Sequence, residues 1–325
     1  MSIRLINAAM VRDLLPVSAC IDLIRSAMSA TSSGQTRLPP RTVMPLSEKK
    51  GFLAQMPSAS AELESYGTKL ISIHPSNRDS ALPVIQGIVC LFDLNSGKPI
   101  AIVDAGEITG IRTAAASGLA TLLLARENST SCGIFGCGIQ AVTHIDAMRA
   151  VRPIERFLIW GRNLDKLEQF SSEQQARTGI EVVATPDPEE AAQCDILCTV
   201  TSSAEPILNG DWVKPGAHIN LVGAHSLTTR EADTTLISKA AVYVDLMESV
   251  RNEGGDIMIP INEGAIDESH IKGEIGQLVL DEITGRVGED QITLYKSLGV
   301  ATQDLYAADY VLAKAVESNT GGIFE

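Results

Sequence analysis

The segment Gly136-Cys137-Gly138-Ile139-Gln140-Ala141 has residue types whose spacing can hold a phosphate. It follows the apolar run Cys132-Gly133-Ile134-Phe135 and opens a stretch with helical periodicity. In that setting the first glycine permits a tight turn and the second lets the backbone approach a pyrophosphate. The alanine lets helix and strand pack closely. The N–H groups of the new helix then face the phosphates. This is the chemistry of nicotinamide-dinucleotide binding, with Gly136, Gly138, Ile139 and Gln140 at the phosphates. The next apolar run, Arg156 to Trp160, ends in Gly161-Arg162-Asn163 and carries no Asp or Glu for the ribose 2′-hydroxyl. A guanidinium at Arg162, with Asn163 beside it, suits a 2′-phosphate, so NADPH is preferred and NADH admitted. The other reading of Arg162 is a solvated surface side chain.

The elements that must position this turn alternate in type. Strands are expected near 131–135, 156–160, 180–184, 195–200, 217–222 and 241–245. Helices are expected near 139–150, 164–178, 187–193 and 229–238. That alternation predicts an α/β, Rossmann-type doubly wound parallel sheet. Ligands bind beyond the carboxyl ends of such strands. Thr201, after the fourth strand, and Val222, Gly223 and Ala224, after the fifth, therefore line the nicotinamide. The first hundred residues read differently. A helix over 17–33 precedes Pro39-Pro40, which forces an extended segment carrying Arg41. Strands near 51–56, 66–74, 84–93 and 99–104 follow, the last two joined by a turn at Asn95-Ser96-Gly97. Strands without intervening helices predict a mixed or antiparallel sheet in an α+β domain. A long helix spans Glu107 to Ala125, and an amphipathic one runs from Thr302 to Ala315. The organisation is discontinuous: residues 1–115 with 300–325, and a dinucleotide domain over 116–299.

Composition bounds the partners. The formal net charge of −14 over 325 residues argues against nucleic acid, which needs clustered Lys and Arg. No apolar run approaches the ~20 residues of a membrane span. The longest, Ala81 to Phe92, is broken by Pro83 and Gln86 and reads as a strand. Met1-Ser2-Ile3-Arg4-Leu5 lacks a basic-then-apolar leader pattern. The six cysteines, Cys20, Cys90, Cys132, Cys137, Cys194 and Cys198, follow no framework spacing. They read as reduced thiols of a cytoplasmic protein. Cys194 and Cys198 have no second Cys or His pair, so no metal site is expected. His74, His144, His218 and His270 form no constellation and read as structural.

Several segments together resemble the ornithine cyclodeaminase/mu-crystallin family. They are Arg41 after the double proline, Gly67-Thr68-Lys69, Thr109-Gly110-Ile111-Arg112-Thr113-Ala114, the glycine turn, Gly273-Glu274-Ile275-Gly276 and Tyr295-Lys296-Ser297-Leu298-Gly299. The resemblance runs over nearly the whole chain. It implies a homodimer built through the N-terminal domain, and an amino or imino acid substrate held between the two domains. It implies that Arg41 and Lys69 hold the substrate carboxylate, that Arg112 and Thr113 bind the cofactor, and that Ser297, Leu298 and Gly299 close over the nicotinamide side. The chemistry of the residues agrees. Arg41 offers a bidentate guanidinium, and the Thr109-Gly110 helix start beside Arg112 favours an anion. Lys69 taken alone reads as a surface strand lysine.

The resemblance also narrows the reaction. Cyclodeaminases of this kind carry an acid after the fifth dinucleotide-domain strand, and so does the alanine dehydrogenase branch. This chain has Val222-Gly223-Ala224-His225-Ser226. It is therefore expected to resemble the ketimine reductases that convert Δ1-pyrroline-2-carboxylate to L-proline, and Δ1-piperideine-2-carboxylate to L-pipecolate. Lys69 is the first candidate to keep the imine nitrogen protonated, and His225 the second. The other reading of His225 is a hydrogen-bonded strand end. Gln86 is a candidate contact for the substrate ring. The rivals are ornithine cyclodeaminase, an amino-acid dehydrogenase, and a non-catalytic protein binding NADPH and a small ligand.

Overall fold

A computed structural model describes residues 2–47, 50–80 and 82–325. Ala81, where the longest apolar run begins, lies outside the described residues. Chain packing separates two units, Met1–Arg112 with Gly299–Glu325, and Thr113–Leu298. The cut falls inside one helix, Ala105–Leu124.

The first unit is built on a mixed sheet of β1 (Ile3–Ile6), β2 (Thr36–Arg37), β3 (Thr42–Pro45), β4 (Phe52–Ser60), β5 (Ser65–Ile73), β6 (Ile85–Asp93) and β7 (Pro99–Asp104). A last strand, Gly322–Phe324, pairs with β1, and the order continues through β7, β6, β5, β4 and β2, with β3 also on β4. β4 to β7 form an antiparallel meander, while β1 and β7 run parallel. The expected turn joins β6 to β7, and Gly97 takes φ +69° there. Side chains along β5 alternate strictly. Ser65, Gly67, Lys69 and Ile71 face inward, and the residues between them are less buried. The helix Ala301–Glu317 covers that inner face at β4, β5 and β6 and packs on the helix Val17–Ser32. Its first eight residues, Ala301 to Ala308, are all buried.

The second unit holds β8 (Ser131–Phe135), β9 (Arg156–Trp160), β10 (Glu181–Thr185), β11 (Ile196–Thr199), β12 (His218–Leu221), β13 (Ala241–Val244), β14 (Ile271–Glu274) and β15 (Thr293–Lys296). The order is β10-β9-β8-β11-β12-β15-β13-β14, and every pair is parallel. The expected doubly wound parallel sheet is therefore present, and its order reverses between β8 and β11. Two strands, β14 and β15, were not expected. β15 is four residues, Thr-Leu-Tyr-Lys, too short and too polar to signal a strand. It lies between β12 and β13 and is buried throughout, because helices cover both faces of a parallel sheet. The helix expected over 229–238 starts only at Thr234, where Asp233 accepts from the Leu236 N–H. His144 and His218 are fully buried, and burial pulls them down to about 4 and about 3. Among the described residues no single helix is long and apolar enough to cross a membrane.

Candidate functional site

β8 delivers the buried Phe135 and then turns at Gly136, whose φ of +120° favours glycine and whose N–H donates to the Trp160 carbonyl at 2.8 Å. Gly138 precedes the helix Ile139–Val151 as its N-cap, so no side chain caps the first turn. A Cβ built on Gly138 would meet no atom of the protein within 4 Å. That glycine is not required by internal packing; it leaves open a space at the N–H groups of Ile139 and Gln140. Ala141 is fully buried, and Ile139 is 69% exposed. An uncapped helix N-terminus behind an open glycine fits a dinucleotide pyrophosphate. Beyond β9, Arg162 is exposed. Asn163 accepts the Lys166 N–H at 2.9 Å, so its side-chain oxygen caps the helix Leu164–Thr178.

The strand ends of this unit meet at a buried carboxylate that the sequence reading missed. Glu231 takes hydrogen bonds from the Thr199 hydroxyl (2.7 Å), the Thr201 N–H (2.8 Å) and hydroxyl (2.6 Å), and the Gly223 N–H (2.7 Å). Burial pushes its carboxyl up, against the Thr201 and Thr199 hydroxyls. Asp256 accepts the Glu231 N–H at 2.7 Å and pairs with Lys296 at 2.8 Å. Lys296 also donates to the Ala224 carbonyl at 2.6 Å. The loop Val222–Ala224 is thereby fixed from beneath, and the Ser297 N–H joins it through the Leu221 carbonyl at 2.9 Å. Leu298 donates its N–H to Asp245 at 2.6 Å. The expected nicotinamide-lining residues Thr201, Val222, Gly223, Ala224 and Ser297 thus share one knot, but the Thr201 hydroxyl points inward to Glu231. His225 is exposed, with Nδ1 3.1 Å from the Gly223 carbonyl. A carbonyl only accepts, so Nδ1 carries hydrogen and Nε2 is the acceptor in the neutral ring.

The first unit brings Arg41, Lys69, Arg112 and Gly299 together. Lys69 faces inward because β5 alternates, and its cross-strand neighbours are the buried Met56 and Val89. A reading of Lys69 as a surface lysine is therefore overturned; it is 1% exposed. Nζ pairs with Asp304 at 2.7 Å and donates to the Thr109 hydroxyl at 3.4 Å. Arg112, 5% exposed, gives Nε to Asp304 at 2.9 Å and Nη1 to Gln303 at 2.9 Å. Those groups are engaged within the first unit. Arg41 donates to the Gly299 carbonyl at 2.8 Å. Gly299 takes φ +79°, and a Cβ there would fall 2.4 Å from Arg112 Nη1. Burial pulls the Lys69 ammonium down to about 7, with Asp304 opposing and Arg112 and Arg41 adding to the fall. Burial alone would raise the Asp304 carboxyl, but Arg112 and Lys69 hold it below the usual range.

Thr113 follows Arg112 in its helix and is buried. Gln86 is exposed at the start of β6 and donates to the Pro83 carbonyl at 3.3 Å, apart from the bonds of the cation cluster. Asp304 and Gln303 escaped the sequence reading because polar residues in an amphipathic helix read as its wet face. The available signal was position: Asp304 lies three and four residues before Ala307 and Ala308, on the inward stripe.

Residues 3–319 match the profile of the Ornithine cyclodeaminase/mu-crystallin family. The chain is 33% identical over 322 residues to a Delta(1)-pyrroline-2-carboxylate reductase of Bacillus cereus, covering 98% of this chain and 99% of that one. Its structure is similar to that of Thermococcus litoralis Delta(1)-pyrroline-2-carboxylate reductase in complex with NADH and L-proline, with TM-score 0.96, 35% identity, and 98% and 99% of the two chains covered. It is also similar to an archaeal alanine dehydrogenase dimer with bound NAD, with TM-score 0.94, 30% identity, and 100% and 99% covered. With the glycine turn, the strand-end knot and the cation cluster all on one chain of this architecture, the protein belongs to the ornithine cyclodeaminase/mu-crystallin family.

Proposed function

We propose that the protein, an NAD(P)H-dependent oxidoreductase of the carbon–nitrogen double bond, reduces small cyclic imino acids: Δ1-pyrroline-2-carboxylate to L-proline, and Δ1-piperideine-2-carboxylate to L-pipecolate. The observation that carries this reading is the buried cluster in which two cations, Lys69 and Arg112, share one carboxylate, Asp304, among the described residues, with the half-buried Arg41 beside them. Such a site is complete only with a further anion, and an α-carboxylate is that anion. Arg41 gives the carboxylate a planar fork, and Lys69 has a third N–H beyond those directed at Asp304 and Thr109. The bound reduced dinucleotide, held at Gly136, Gly138, Ile139 and Gln140, supplies the hydride. Lys69 is the group best placed to hold the imine nitrogen in its protonated form, since its ammonium titrates at about 7. His225 is second, because its neutral ring presents an acceptor nitrogen and donates only as a cation.

A lyase reading is disfavoured by the loop after β12. Val222 to Ser226 holds no carboxylate, and the oxygens of Glu231 beneath it are turned onto the backbone and two threonines. The exposed Arg162 supports NADPH over NADH. Met44, Leu53 and Ile88 leave an apolar outer sheet face, which supports a homodimer; sedimentation as a monomer at micromolar concentration refutes it. The free cysteines agree with a reducing, cytoplasmic setting.

Purified protein is assayed with NADPH and then NADH against both cyclic imines, pyruvate with ammonia, and ornithine. Consumption of the reduced nicotinamide is expected with the cyclic imines. Consumption only with pyruvate and ammonia, or ammonia release from ornithine, overturns the reading. Arg162→Ala lowers the NADPH-to-NADH preference about tenfold. Unchanged selectivity removes Arg162 from the site.

A further inference from the structure

Asp304 lies between two buried cations, Lys69 and Arg112, and both its oxygens are committed. Oδ2 meets Lys69 at 2.7 Å and Oδ1 meets Arg112 at 2.9 Å. The carboxylate is buried, so solvent does not screen either contact. Without it, an ammonium and a guanidinium within one carboxylate's span would repel each other in a low-dielectric core. Arg112 cannot relieve that repulsion by losing a proton, because a guanidinium stays charged. Lys69 can. Gln303 orients Arg112 through a neutral amide and adds no charge.

We propose that Asp304 is a positioning residue for the reaction: it binds the Lys69 ammonium and the Arg112 guanidinium into one cation pair and keeps Lys69 protonated, so that capture of the substrate carboxylate depends on pH through Lys69. The proposal rests on the reading of this cluster as the carboxylate receptor. Among the described residues the groups facing Lys69 and its partners come from three helices, the sheet and one extended segment. Thr109 and Arg112 come from the helix Ala105–Leu124, Asp304 from the helix Ala301–Glu317, and Arg41 from the segment before β3. Cys20, from the helix Val17–Ser32, faces Arg112 and Asp304, and burial pushes its thiol up to about 12. It therefore stays neutral through the working range. Met56 and Val89 flank Lys69 on its own sheet and carry no charge. Lys69 is thus the member of the cluster whose charge changes near neutrality.

The test follows Lys69 directly, without relying on turnover. Full-length protein labelled with ¹³C-lysine is titrated by NMR, with the Lys69 signal assigned through Lys69→Arg. Wild type gives a midpoint near 7. Asp304→Asn lowers it by about one unit or more, and Asp304→Glu, which retains the charge, returns it toward wild type. In parallel, KM for the cyclic imine climbs as pH passes the Lys69 midpoint. Asp304→Asn raises KM about tenfold at pH 7.5 while kcat changes less, and Asp304→Glu recovers part of the loss. If Asp304→Asn does not fold, Arg112→Gln tests the same shell. It leaves Asp304 to Lys69 alone and raises the midpoint, and an unmoved midpoint overturns the proposal. A Lys69 midpoint unchanged in Asp304→Asn also overturns it, whatever the activity. If wild type reduces no cyclic imine, the functional reading falls separately, and calorimetric L-proline binding across the same pH range replaces KM. Binding that ignores the Lys69 midpoint overturns the proposal in that case.

Discussion

The two units each bury a lysine–aspartate pair of nearly the same length, Lys69–Asp304 at 2.7 Å and Lys296–Asp256 at 2.8 Å, in surroundings of opposite sign. Around Lys69 the other charges among the described residues are Arg112 and Arg41. Around Lys296 the other charged side chain is a second acid, Glu231. The surplus acid has its needs met inside the fold: Glu231 and Asp256 take backbone N–H groups and threonine hydroxyls. Backbone N–H groups are plentiful at strand ends, so a buried carboxylate there is easily satisfied. Surplus cations need acceptor oxygens and a counter-charge, and neutral acceptors such as the Thr109 hydroxyl, the Gln303 amide and the Gly299 carbonyl supply only the first. A buried acid-rich pair therefore builds structure, while the cation-rich pair is the one proposed above to receive an anion from outside.

Substitutions should separate these roles, beginning with the largest effect. Asp256→Ala leaves Lys296 without its counter-charge and strips the Glu231 and Ala232 N–H groups of their acceptor. It should cost about 4 kcal/mol and lower Tm by about 10 °C in a thermal melt. A melt within about 2 °C of wild type would break the comparison. Arg41→Ala should do the reverse. KM for a cyclic imino acid should rise about 30-fold, with Tm almost unmoved. An unstable but normally binding variant would make Arg41 structural.

The remaining effect is one of pH, and it appears only above about 7. Lys69 titrates at about 7 in the fold against 10.5 when unfolded. Below about 7 both states are charged and the full cost of burying the ammonium is felt. Between about 7 and 10.5 the folded chain has shed a proton that the unfolded chain keeps. Stability therefore rises with pH across that window, by up to about 1.4 kcal/mol per unit from this group. Denaturant melts of Lys69→Met should lack that part of the rise. Parallel curves for variant and wild type would show that Lys69 does not titrate there.

How far the molecule could be read in advance depended on distance along the chain. The glycine turn was legible because a strand, two glycines, an alanine and a helix are consecutive, and the alternating elements after it predicted the parallel sheet that is present. β15 was not legible. Its four residues take their place only because β12 and β13 offer edges on either side. Lys69 shows both sides. Its alternation with Gly67 and Ile71 was visible, but which face was inner depended on the helix that covers it.

Local chemistry in the sequence by itself determined the glycine turn between strand and helix, the sheet type that follows it, and the absence of an acid at Val222–Ser226. Those features need only neighbours within a few residues, where backbone geometry leaves few choices. The tertiary structure alone decided that Lys69 is buried, that Asp304 serves both Lys69 and Arg112, and that Glu231 ties Thr201 to Gly223. Arg112 and Asp304 stand 192 positions apart. No periodicity spans that interval, and the charge of a buried group is set by whatever the fold brings against it.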